Sequence, residues 1–133
     1  MTDELAARAV RFARWVFRIA GIYGLIVVVP AFFLEDLVVS MSPPALTHPE
    51  HYYGFLSITV AWQVAFLVIA TDPLRYRWMM VPAMVEKFLF GGVMAMLYLN
   101  GRASLATLGP VVNDIVLGIF FVAAFVRTRR AAS

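Results

Sequence analysis

The 133-residue chain contains no cysteine. Disulfides, thiolate metal sites and cysteine nucleophiles are therefore excluded. Charged residues make up only 14% of it, where soluble domains carry about 25%. It has no low-complexity tract and no internal repeat. The catalytic templates G-x-S-x-G, H-E-x-x-H, the P-loop and G-x-G-x-x-G are all missing. One acid–base candidate remains, a carboxylate pair built from Glu86 and Asp114, so the reading leans away from an enzyme. Apolar residues, in contrast, are plentiful. The hydrophobic fraction is 62% and the mean hydropathy +0.84. An ordinary soluble domain and a disordered tail are both excluded. The length allows one domain, 1–133.

The hydrophobicity falls in four blocks, at about 15–34, 53–71, 78–99 and 105–126. Each meets the roughly 20 residues a helix needs to cross a bilayer core. Buried strands are far shorter, and these runs do not alternate. The first block is too long for a signal peptide's apolar region and has no clear A-x-A site after it, so it reads as a retained span. Short connections make neighbouring helices antiparallel. The expected fold is an all-α membrane protein, a four-span up-down bundle, with one long outer loop at 35–52. Pro43, Pro44 and Pro49 break that loop, which is expected to lie as a short cap.

Nine basic residues (Arg8, Arg11, Arg14, Arg18, Arg75, Arg77, Arg127, Arg129 and Arg130) fall on one side of this topology, and Arg102 alone on the other. Basic residues stay cytoplasmic, so both termini are expected in the cytoplasm. Glu35, Asp36 and Glu50 then face outward. The same sorting answers the net charge of +3. These arginines mark topology and contact with anionic headgroups, not a nucleic-acid groove. Trp15, Tyr76 and Trp78 fall at the inner interface, and Tyr52, Tyr53 and Tyr98 at the outer one, where amphipathic rings settle. Arg8, Arg11, Arg14 and Arg18 share roughly a third of a helical wheel. The plainer reading is snorkelling to lipid phosphates; the sharper is a lipid sensor. Ala20 with Gly24, and Gly91 with Ala95, have the small-xxx-small spacing of close helix contacts.

Polar residues interrupt the spans: Gln63 in the second, Glu86 and Lys87 in the third, Asn113 and Asp114 in the fourth. An ionisable group at bilayer depth costs roughly 2.5–3.5 kcal/mol on insertion scales, which makes it a functional candidate. At about 1.5 Å per residue, Gln63 and Glu86 lie about 12 Å in, Lys87 about 13 Å and Asp114 about 18 Å. Arg18, at about 5 Å, is shallow. One arrangement pairs Glu86 with Arg18 or Gln63, and Lys87 with Asp114. Helical side chains lean toward their own N-terminus, which favours Glu86–Arg18 over Lys87–Asp114. The plainer role of these groups is to fix the bundle's register. The functional readings are a polar-lined pocket for a lipid, quinone or partner helix, a proton-coupled transporter or channel, and a subunit of a larger complex or homodimer. Gly109-Pro110 either kinks the fourth span or opens its first turn. His48, Glu50 and His51 supply three weak metal candidates within four residues, with no fourth ligand. No resident cofactor is expected.

The runs RWVFRIAGIYGLIVVVPAFFLE, THPEHYYGFLSITVAWQVAFLVIATDPLRYR and MVPAMVEKFLFGG resemble small four-helix bacterial integral membrane proteins, broadly DoxX-like. The resemblance implies a bacterial inner-membrane location. DoxX-type proteins are linked to quinone-coupled sulfur oxidation, so it also implies a hydrophobic redox partner.

Overall fold

The first helix, α1 (Asp3–Val28), begins where local chemistry dictates. Thr2 caps it by accepting the Leu5 amide proton at 3.4 Å, and Asp3 and Glu4 complement the dipole in its first turn. Pro30 lacks an amide proton, so the chain tightens into a 3-10 turn over Val29–Phe32. The computed structural model describes residues 2–131. Beyond α1 lie α2 (Glu35–Met41), α3 (Pro49–Thr71), α4 (Met80–Leu99) and α5 (Leu108–Thr128). All but α2, with their flanking 3-10 turns, are long and apolar enough to cross a bilayer, so the chain is a multi-pass membrane protein by length and composition.

One boundary differs from the hydropathy reading for a reason of backbone chemistry. α3 starts at Pro49, four residues before its apolar block, because proline is preorganised for the first helical position. The expected loop cap contains a helix, α2, tied down when Tyr53 donates its hydroxyl proton to Glu35 Oε2. Pro110 sits in the first turn of α5, where its missing amide proton costs no intrahelical hydrogen bond. The end of α4 shows why Gly101 is required. Its φ is +70°, the Gly101 amide donates to Tyr98 O at 3.0 Å, and the Arg102 amide donates to Leu97 O at 2.8 Å. This is a Schellman cap, and it satisfies carbonyls that the helix end leaves free.

In space, α1 packs against both α3 and α5, and α5 packs against α4. α3 and α4 are consecutive spans yet barely touch. The core lies toward the end of the bundle that carries both termini. Phe121 stacks on Phe17 with centroids 4.3 Å apart and meets Phe66 edge-on at 4.9 Å. Ala13, Ala20, Ile69, Met80, Ala83 and Ala124 close around these rings. Toward the loop end buried residues thin out to Leu56, Gly91 and Val111. Side chains such as Ile19, Ile26, Leu89 and Ile119 are exposed, as lipid-facing residues must be.

Small residues set the helix spacing. A Cβ at Gly21 would come within 2.9 Å of the Gln63 carbonyl oxygen, and one at Gly24 would overlap the Gln63 carboxamide. α1 and α3 therefore approach through these two glycines.

Arg77 plays a part that charge sorting did not suggest. It is buried, its guanidinium lies 3.7 Å from the Phe125 ring centroid, and Nη2 donates to Phe125 O at 2.9 Å. That carbonyl is in the last turn of α5, where acceptors are free and the dipole favours cations. The α3–α4 turn is thus pinned to the end of α5. Arg77→Met is expected to lower the unfolding free energy by about 1.5–3 kcal/mol, the scale of a hydrogen bond to a charged group. Reversible unfolding in mixed micelles measures it.

Candidate functional site

The polar residues of the spans occupy places that the helix period reserves for core. On α4 the buried face reads Met80, Ala83, Lys87 and Gly91; on α5 it reads Val111, Asp114, Gly118 and Phe121. Lys87 and Asp114 therefore stand where apolar residues are expected. They are 5% and 7% exposed. Lys87 Nζ donates to Asp114 Oδ1 at 3.2 Å. Asn113 Nδ2 donates to the same oxygen at 3.1 Å. Glu86 Oε2 lies 3.3 Å from Lys87 Nζ, an ion-pair distance, but it is buried and accepts no hydrogen bond. The cluster holds two carboxylates to one ammonium.

The Lys87 ammonium also lies 5.4 Å from the Phe66 ring centroid. Phe66 belongs to the aromatic core, so the cluster sits directly on top of it. The Glu86 side chain is 19% exposed. It shares a face of α4 with Phe90, one turn further on, and Phe90 stacks on Phe55 of α3 with centroids 5.8 Å apart. Glu86 is thus placed at the seam where α3 and α4 are least packed.

Side-chain lean argued against Lys87–Asp114, yet that pair forms. The reason is the close approach of α4 and α5, where a Cβ at Gly118 would come within 2.8 Å of Phe88 and one at Gly91 within 2.9 Å of Ile115. Across so short a gap the flexible lysine stem covers the offset. The favoured Glu86–Arg18 pair does not form. Arg18 lies over Trp15, with Cζ 5.3 Å from the ring centroid. Gln63 is buried but stands apart from the cluster. Its Nε2 donates to Thr59 O at 3.1 Å, and its carboxamide fills the notch at Gly24. Of the sequence candidates, the structure brings together Glu86, Lys87, Asn113 and Asp114, and leaves Gln63 and Arg18 outside.

His48, Glu50 and His51 lie at the loop end. His48 Nδ1 is 3.3 Å from Glu50 Oε1, and the two imidazoles are 5.2 Å apart between centroids. Among the described residues no three such groups converge on a metal position. Pro49, as the first residue of α3, separates His48 from the helix that carries the other two.

No protein-family model matches the chain, and no curated protein or solved structure matches it either.

Proposed function

We propose that this is a non-enzymatic protein of the bacterial inner membrane that binds an apolar molecule with a polar head, a lipid or a quinone, in the α3–α4 seam beside the Lys87 cluster. One observation carries the reading. Glu86 stands at the rim of a buried ion pair, its Oε2 accepts no hydrogen bond, and it lies by the sparsely packed α3–α4 seam. Buried polar groups are normally hydrogen-bonded, and Glu86 Oε2, ion-paired with Lys87 but without a hydrogen bond, keeps acceptor capacity that the polar head of a ligand entering the seam would use. The DoxX-like resemblance puts quinones among the candidates. Both termini are assigned to the cytoplasm. Support comes from the nine basic residues, which belong to the end of the bundle where Arg127 lies over Phe12 and Arg77 over Phe125.

The protein purified in mild detergent is expected to carry a small apolar molecule, identified by mass spectrometry of an organic extract. Glu86→Leu is expected to lose most of it while remaining monodisperse. A wild type that carries nothing, or a variant that retains the same amount, overturns the reading.

A further inference from the structure

A different feature lies at the terminal end, between the first turns of α1 and the last turn of α5. Leu5, Arg8, Ala9 and Arg127 line a groove there of about 310 Å³. We propose that this groove binds the phosphodiester of an anionic phospholipid.

The two guanidiniums come from different helices and are held by different means. Arg127 lies over Phe12, with Cζ 4.3 Å from the ring centroid. Arg8 is held by Glu4, Nη2 to Oε1 at 2.8 Å. A planar guanidinium already fixed by stacking loses little freedom when it grips two phosphate oxygens. Charge agrees as well. Two guanidiniums and the Glu4 carboxylate leave one positive charge, which a phosphodiester's single negative charge balances. Leu5 and Ala9 supply an apolar wall, which suits the start of an acyl chain and is of no use to a free anion. Arg127 stands in the last turn of a helix long and apolar enough to cross a bilayer, where an arginine reaches toward the lipid phosphates. Arg11, Arg14 and Arg18 also lie at this end of the bundle, but they come from one helix. The groove is the place where α1 and α5 each contribute a guanidinium to the same space. The assignment concerns the α1–α5 face at the terminal end, lined by none of the Glu86 cluster, and does not depend on what occupies the α3–α4 seam.

The test uses the full chain in a neutral detergent, with lipid binding read by native mass spectrometry. Phosphatidylglycerol is expected to bind at least about tenfold more tightly than phosphatidylcholine, whose phosphodiester is the same but whose choline would bring a second positive charge to a groove that already has one in excess. Arg8→Gln combined with Arg127→Gln is expected to abolish that preference. Both side chains are exposed, so the double variant should fold, and an unchanged gel-filtration profile checks it. Phe12→Leu, which removes the stacking platform and no charge, is expected to reduce the preference partially. Arg102→Gln, at the loop end, should leave it intact. Equal binding of the two lipids, or a preference that survives the double variant, overturns the proposal. Competition by inorganic phosphate at matched concentration would show a free-anion site and overturn the lipid assignment.

Discussion

Replacing Lys87 with methionine is expected to lower the unfolding free energy by about 3–5 kcal/mol, the cost of removing one partner from a buried ion pair. Asp114 is 7% exposed and would keep only Asn113 as a donor, with the Glu86 carboxylate nearby. Uncompensated charge in an apolar interior is far more costly than a lost contact. The magnitude discriminates, because neutral hydrogen bonds between membrane helices average only about 0.6 kcal/mol. A loss near that lower value would show that Lys87 does not carry the charge of the cluster. The triple variant Lys87→Met with Asp114→Leu and Glu86→Leu is expected to recover most of the loss, since apolar side chains of similar volume need no solvation. Lys87→Met with Asp114→Leu recovers less, because Glu86 keeps its carboxylate and loses its ammonium. Unfolding by a denaturing detergent, titrated for the wild type, both single variants, the double and the triple, gives the coupling directly.

Phe121→Ala is expected to cost about 3–5 kcal/mol, the range for deleting a large buried side chain. Phe121 is fully buried and touches two other rings, Phe17 of α1 and Phe66 of α3. Its removal leaves a void bordered by three helices that are already closely packed. In lipid the transfer part of this loss shrinks, but lost dispersion contacts remain. Phe55→Ala is the comparison. That ring is half exposed at the loop end and stacks on Phe90 alone, so it should cost less than half as much. Equal losses at the two positions would contradict a core concentrated toward the termini.

The four spans were legible because hydropathy alone dictates them: lipid leaves a backbone few alternatives to a helix. α2 was not legible. It is seven residues long, it stands among prolines, and it is held by a tyrosine eighteen positions away. Lys87 and Asp114 were legible as candidates because an ionised group in an apolar run is conspicuous. Their pairing was not, because it depends on how closely α4 and α5 approach, which Gly91 and Gly118 decide together with the rings and branches opposite them. Gln63 misled for the matching reason. Its depth resembles that of Glu86, but depth along a helix says nothing of direction around it, and Gln63 turns toward Gly24. Arg77 looked like one more cytoplasmic marker. Its burial rests on a carbonyl of α5, forty-eight residues further on, which no local pattern reveals.

The scant contact between α3 and α4 has a consequence for biogenesis. These spans follow one another from the ribosome, yet little joins them beyond the Phe55–Phe90 stack and the Lys87–Phe66 contact. α3 docks on α1, which precedes it. α4 enters with Lys87 paired only to Glu86 of the same helix, at a depth where each ionised group costs roughly 2.5–3.5 kcal/mol on insertion scales, and the second carboxylate arrives only with Asp114, twenty-seven residues later. The arrangement couples the last two spans during insertion: a chain interrupted between them would leave Lys87 without the Asp114 carboxylate and the Asn113–Asp114 side of its cluster.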